Sequence, residues 1–170
     1  QFIKPSCVIL KHGNPCGVAL SSSPIKSYKQ ALKCDPISAF GGIVAFNKLI
    51  KGDTAKEILK LFTEVVIAPG FDSEAIKLFS QKKNLIVIKY TSSKKQSTIS
   101  LKTTRNFLLV QERDKLIVSK KNLVLRTKKK LAQNILDDLH FGFIVSKFVN
   151  SNAIVLSHNL ATVGIGVGQT

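Results

Sequence analysis

Short apolar runs alternate along this chain with polar, turn-forming stretches. Residues 6–10 are one such run and predict a buried strand. The run leads into residues 11–17, which are rich in turn formers, so the strand is expected to end there with Lys11 and His12 at its tip. Ser23 followed by Pro24 predicts a capped helix start, with Ile25, Tyr28 and Leu32 on one face. Residues 34–42 read as a loop and 43–46 as a short buried strand. Asp53 is placed to cap a second helix whose apolar face is Ala55, Ile58, Leu59 and Phe62. Residues 65–68 read as a strand ending at Pro69 and Gly70. Asp72 is placed to cap a third helix carrying Ala75, Leu78 and Phe79, and 85–88 is another apolar strand. This alternation of strand and helix predicts an α/β fold.

Beyond it, residues 90–104 are polar, rich in Ser, Thr and Lys, and lack a helical period, which predicts a linker or exposed loop. Two strands are expected at 107–110 and 116–118, either side of a turn at 112–114. A long helical pattern covers 128–149 through Leu131, Ile135 and Leu139, interrupted by Gly142. Residues 153–156 and 161–165 read as strands across a polar turn. The expected organisation is a first α/β subdomain over 1–90, an exposed linker over 91–104, and the start of a second α/β subdomain over 105–170. The chain lacks methionine and stops in a glycine-rich run, so both ends are expected to continue in a longer protein.

Composition adjusts this picture in three ways. Hydrophobic residues make up 44% of the 170, enough for a buried core. No apolar run approaches the ~18 residues of a membrane helix, so no membrane partner is expected. The net charge of +16 raises nucleic acid as a partner class. Of the 26 basic residues, however, only Arg105, Arg113 and Arg126 are arginines, the side chain that most often reads bases and forks onto phosphate. Lysine spread along the whole chain points to compositional drift, and no nucleic-acid partner is expected. Cys7, Cys16 and Cys34 have no CxxC spacing, which favours free thiols in a reducing cytoplasm over a disulfide framework.

Few residues offer chemistry. His12 can take or deliver a proton near neutral pH, and Lys11 beside it can face a developing oxyanion. Taken alone, the dipeptide fits a surface lysine beside a structural histidine better. The run Gly164, Gly166, Gly168, Gln169 could expose amides to a phosphate or form a tight turn; it is neither a dinucleotide fingerprint nor a P-loop. Pro15-Cys16 is half of a zinc-deaminase signature, but the second cysteine and the His-x-Glu are missing, so no metal is expected. Cys16 reads as a small packed residue, and His140 and His158 as structural.

Five segments in order carry a resemblance. They begin at Lys11-His12-Gly13-Asn14-Pro15-Cys16-Gly17 and continue with Asp35-Pro36-Ile37-Ser38-Ala39-Phe40-Gly41-Gly42. Glu64-Val65-Val66-Ile67-Ala68-Pro69-Gly70 follows, then Leu109-Val110-Gln111 with Arg113-Asp114. Ser151-Asn152-Ala153-Ile154-Val155 leading to the glycine-rich run completes the set. Together they resemble the AICAR transformylase part of the bifunctional purine-biosynthesis enzymes, along nearly the whole chain.

That resemblance implies a cytidine-deaminase-like three-layer α/β architecture without zinc, present here as a partial domain. It implies formyl transfer from 10-formyltetrahydrofolate, as cosubstrate, to the amine of 5-aminoimidazole-4-carboxamide ribotide (AICAR), in a cytoplasmic homodimer. Lys11 and His12 match the catalytic pair, with His12 accepting the amine proton and Lys11 supporting the oxyanion or helping to protonate the leaving folate nitrogen. Asn152 matches the asparagine that holds the substrate carboxamide. Gly41 matches a backbone contact to substrate, Glu64 an acidic residue near the ribotide, and Ile37 and Phe40 the loop that borders the folate. Gly13 and Gly142 depart from the pattern, where a small or branched residue and a tryptophan are usual. Gly13 and the expected truncation of both ends motivate an alternative: an inactive remnant that keeps only the fold or ribotide binding.

Overall fold

The computed structural model describes residues 2–91, 98–116 and 118–168. Gln169 and Thr170, Ile117 and part of the 90–104 stretch lie outside them. The order begins β1 (Ser6–Lys11), β2 (Asn14–Leu20), α1 (Pro24–Leu32), β3 (Gly42–Phe46) and α2 (Gly52–Ile58). It continues through β4 (Thr63–Ala68), α3 (Ser73–Phe79), β5 (Ile86–Lys89), β6 (Ile99–Thr103) and β7 (Leu108–Glu112). A 3-10 turn at Lys120–Asn122 precedes α4 (Gln133–Ser146), β8 (Ile154–His158) and β9 (Ala161–Gly166). Among the described residues seven strands form one mixed sheet in the order β5-β4-β3-β1-β2-β9-β8, and β6 pairs with β7 apart from it. Residues from both the 1–90 and the 105–170 segments therefore share one sheet.

Alternation along the central strands separates two cores. Cys7 and Ile9 of β1, Ala19 of β2, Val44 and Phe46 of β3 and Val66 and Ala68 of β4 point to one face. There they meet Tyr28 and Ala31 of α1, Ala55 and Ile58 of α2, and Ala75 and Phe79 of α3. Val18 and Leu20, offset by one residue from Ala19, point the other way and meet Phe141, Val145 and Val149. The protein is thus α/β with helices on both faces of the sheet. Each fully buried aliphatic or aromatic side chain contributes ~1.5–3 kcal/mol. No helix among the described residues is long and apolar enough to cross a membrane.

Local capping accounts for the helix starts that the sequence signals. The Ser23 hydroxyl accepts from Lys26 N at 3.4 Å, with Pro24 in the first turn. The Asp72 carboxylate accepts from Ala75 N at 2.7 Å. Three expectations are corrected. Residues 11–17 are not one turn: only His12 and Gly13 turn, and Asn14–Leu20 is a full strand. Pro15 is tolerated there because the β1–β2 register shifts between Ile9 and Leu10, at a bulge. Asp53 does not cap α2; the helix starts a residue earlier behind Lys51, and Asp53 accepts from Thr54 N and Oγ1 inside the first turn. The apolar face of α2 stops at Ile58 with Leu59 as its C-cap, leaving Phe62 beyond it and 48% exposed.

The second half differs most from expectation. Residues 99–103, read as exposed loop, form β6, paired with β7 from Ile99↔Glu112 to Thr103↔Leu108. No strand forms over the described residues 113–116; Lys147 Nζ instead holds Asp114 O at 2.9 Å and Leu116 O at 2.8 Å. The helix expected over 128–149 is confined to Gln133–Ser146. Residues 128–132, with three consecutive lysines, stay exposed and outside any helix or strand, ahead of a helix start that has no side-chain cap. Gly142 does not break α4: it is buried, and its missing side chain lets the helix approach β8, since a Cβ would lie 3.0 Å from Ser157 Oγ.

Candidate active site

Strand register assembles the site at one end of the sheet. β1 ends at Lys11 beside the start of β3, because Leu10 pairs with Ile43 in antiparallel register. β3 and β4 run parallel, so both begin at that end, with Gly42 opposite Thr63. β2 begins there at Asn14, opposite Lys11. β8 begins and β9 ends there too, since Ile154 pairs with Gly166. Five segments distant in sequence thereby meet at one edge.

Between them lies a cavity of about 690 Å³. Lys11, His12, Asn14, Pro15 and Cys16 form one wall, Cys34, Asp35 and Ser38 a second, and Asn150, Gly164, Ile165 and Val167 a third. His12 and Gly13 make the turn between β1 and β2 with φ of 52° and 77°. Two consecutive left-handed residues are what a two-residue type I′ hairpin demands. This puts the exposed imidazole of His12 at the cavity mouth and explains a glycine at position 13, where nothing lies within 4 Å of a built Cβ.

Lys11 Nζ donates to the carbonyl oxygen of Phe40. Gly41 follows with φ of 68°; its N donates to Phe62 O at 2.8 Å, and a Cβ there would lie 3.5 Å from Glu64 Oε1. Lys11, Phe40, Gly41 and Glu64 are therefore brought into one neighbourhood. The Phe40 ring packs on Phe62 with centroids 5.2 Å apart, and Ile37 on the same loop is 86% exposed.

Asn152 is exposed and is not part of the cavity wall; Asn150, two residues earlier, is. Asn150 N donates to Asn14 Oδ1 at 2.9 Å, and Gly168 N donates to Asn150 O at 3.2 Å. Gly168 packs so tightly on this segment that a Cβ would fall 2.0 Å from Asn152 N. The glycine-rich run is neither a tight turn nor a free amide loop up to that point, because Gly164 and Gly166 belong to β9.

Electrostatics sort the remaining groups. Hydrogen bonds from Ser38, including Ser38 N at 2.9 Å, hold the Asp35 carboxyl below its usual range, so an anion lines the same cavity as Lys11. Burial pushes the Cys16 thiol up to about 11, against a smaller lowering by Lys11, and the thiol donates to Ile9 O at 3.4 Å. Burial also raises Cys34, offset by the Thr162 hydroxyl. Both thiols are protonated at neutral pH and are poor nucleophiles. Among the described residues no group of three or more His, Cys, Asp or Glu side chains could hold a metal ion. His140 Nε2 lies 2.7 Å from Val118 O, and His158 lies in β8, away from the cavity.

Asn14, Asp35, Ser38 and Asn150 were not singled out by sequence reasoning. Asn14, Asp35 and Ser38 lie within the quoted motifs, which is the signal that could have flagged them; Asn150 carries no signal apart from its place in the fold.

The whole chain, residues 1–170, matches the family model described as AICARFT/IMPCHase bienzyme. It is 49% identical over its full length to the bifunctional purine biosynthesis protein PurH of Buchnera aphidicola subsp. Schizaphis graminum, covering 33% of that protein. It is 44% identical over 99% of its length to PurH of a Thermoanaerobacter species, again covering 33% of the relative. Against PurH of Bradyrhizobium diazoefficiens the identity is 45% over 96% of the chain, covering 31%. The chain spans about a third of the length of the curated relatives it matches.

Proposed function

Because this chain belongs to the AICARFT/IMPCHase bienzyme family, we propose that it carries the formyl-transfer site of a purine-biosynthesis enzyme. The substrates are AICAR and 10-formyltetrahydrofolate. One observation carries the reading: Lys11 and His12 project from a hairpin tip into a cavity whose other walls come from the Asp35–Ser38 loop and the Asn150–Val167 region.

In the reaction the exocyclic amine of AICAR attacks the formyl carbon. A C–N bond forms, and the bond from that carbon to the folate nitrogen breaks. His12 accepts the proton that the amine loses and returns it to the departing folate nitrogen. Lys11, steered by the Phe40 carbonyl, keeps further N–H groups for the oxygen that gathers charge. Asn152 binds the carboxamide, with the backbone of Gly41 and the carboxylate of Glu64 on the ribotide side. Ile37 and Phe40, both exposed beside the Lys11 tether, offer an apolar edge for the folate ring. The three layers around a mixed sheet support the cytidine-deaminase-like arrangement that the resemblance implies.

The protein acts in the cytoplasm as a homodimer in this reading. The β6–β7 hairpin supports an assembly, because Leu101, Leu108 and Val110 share one face of it by register and are 63%, 57% and 56% exposed. The test is a formyl-transfer assay on the protein expressed with the sequence that flanks it in its gene, beside Lys11→Ala and His12→Ala. Each substitution is expected to lower turnover by ~10²-fold or more. Full activity in either variant removes that residue from the mechanism. An inactive parent that still binds the ribotide establishes the remnant instead.

A further inference from the structure

We propose that Asn14 is a positioning residue: its side-chain oxygen holds the Asn150–Asn152 segment in register with the hairpin that carries Lys11 and His12. The inference rests on the formyl-transfer reading above and assigns a role to a residue that touches neither reacting atom.

The argument starts from how β2 meets β9. Their Cα register is confined to Ala19↔Ala161, at the end of β2 remote from the cavity. One step nearer, Thr162 Oγ1 accepts from Val18 N at 3.0 Å and donates to Val18 O at 3.2 Å, a side chain standing in for a ladder partner. Beyond that point the strands part. Asn14, Pro15 and Cys16 lie on one side of the opening and Gly164, Ile165 and Val167 on the other, with the cavity in the wedge between them. A wedge closed only at its apex leaves its two arms free to shift at the mouth.

At the mouth, Asn150 N donates to Asn14 Oδ1 at 2.9 Å across 136 residues of sequence. Asn150 is in turn bound to Gly168 N through its carbonyl at 3.2 Å, and Gly168 is packed against the Ser151–Asn152 backbone. Residues 150–152 and 168 therefore move as one piece, and Asn14 ties that piece down. On its own strand Asn14 sits directly opposite Lys11. The chain of contacts runs from Lys11 across the β1–β2 pair to Asn14, then to Asn150 and the Asn152 segment. Loss of the Asn14 oxygen lets Asn152 drift relative to Lys11 and His12, and a displacement of about 1 Å in a reacting assembly lowers turnover by up to ~10²-fold.

The experiment compares Asn14→Leu, which removes the acceptor at similar volume, with Asn14→Asp, which keeps an oxygen there. Both are made in the protein expressed with its natural flanking sequence. Asn14→Leu is expected to lower kcat for formyl transfer ~10-fold or more, with KM for both substrates changed less than about threefold. Asn14→Asp is expected to restore kcat to within about threefold of the parent. Amide hydrogen exchange at Asn150 should accelerate in Asn14→Leu and not in Asn14→Asp. A kcat for Asn14→Leu within about threefold of the parent overturns the proposal, as do equal losses in both variants or unchanged exchange at Asn150. If Asn14→Leu does not fold, Asn14→Ser, whose hydroxyl is too short to reach the Asn150 amide, is judged by the same criteria. His12→Ala in parallel separates the two ideas. A parent without formyl transfer sinks the formyl-transfer reading and full activity in His12→Ala removes His12 from it, whereas a dead His12→Ala beside a fully active Asn14→Leu sinks the role of Asn14 alone.

Discussion

Two hairpins in this sheet turn in the same way for different ends. His12 and Gly13 join β1 to β2 with φ of 52° and 77°, and Asn159 and Leu160 join β8 to β9 with φ of 51° and 57°. Both meet the geometry of a two-residue left-handed turn. The second is held from within: the buried carboxylate of Asp138 accepts from Asn159 N at 2.9 Å and from Leu160 N at 2.7 Å. Leu160 packs against the core under α4, and its carbonyl accepts from Leu20 N at 2.9 Å. The first has no such anchor among the described residues: His12 and Gly13 are exposed, and nothing lies within 4 Å of a built Cβ on Gly13. In the formyl-transfer reading the first turn presents an imidazole to a ligand, and it cannot also bury it. Glycine and histidine, both tolerant of left-handed backbone, let the first turn form without core contacts. The second places a leucine where the backbone disfavours it, and the Asp138 bonds and apolar packing offset that cost.

The sharpest way to break this contrast is His12→Asn. Asparagine enters the left-handed region readily, so the turn should persist and unfolding free energy should move by less than ~0.5 kcal/mol. Formyl transfer should fall by ~10²–10⁴-fold. Steady-state kinetics beside urea unfolding reads both, and retained activity would show that the first turn, too, is only structural. Next in size is Asp138→Ala, which strips two turn amides of a charged acceptor. About 3 kcal/mol of stability should be lost, because hydrogen bonds to charged groups contribute ~1.5–3 kcal/mol each. A loss under ~1 kcal/mol in the same unfolding assay would mean that water replaces the carboxylate and that the anchor is not one. Gly13→Ala should cost about 1 kcal/mol, from left-handed strain alone since the space is open. A larger loss would point to a contact at the first turn that the comparison lacks. The smallest effect belongs to Leu160→Gly. Relief of ~1 kcal/mol of backbone strain should nearly cancel the lost apolar contact, leaving stability within about 1 kcal/mol of the parent. A clear stabilisation would show that the leucine packs too poorly to repay its backbone.

Where single residues act on their own neighbours, the chain was legible. Ser23 and Asp72 cap the helices that follow them, and of the faces read as Ile25, Tyr28 and Leu32 and as Ala75, Leu78 and Phe79, Tyr28, Ala75 and Phe79 are buried while Leu32 and Leu78 pack half-buried against the core. Reading was less successful where a local signal had two structural outlets. The turn formers of residues 11–17 are used in one tight hairpin plus a strand with a bulge, because pairing with β1 holds Pro15 and Gly17 in extended backbone. The polar stretch around Ser100 and Lys102 forms β6 because Leu108–Glu112 is at hand to pair with it, not because its own residues favour a strand. Lys51 opens α2 without any capping side chain, which no propensity rule would select.

The sequence alone determined the kinds of element and the chemistry on offer: an α/β alternation, a lysine-histidine pair beside a glycine, and free thiols. These follow from side-chain size, backbone preference and ionisation, which act within a few residues. Tertiary structure alone decided which groups share a space. Asn14 reaches Asn150, Asp35 faces the cavity with His12, and Gly41 lies against Glu64 because strand register carries their segments to the same end of the sheet. Register is set by pairing between strands far apart in sequence, so no window along the chain contains it.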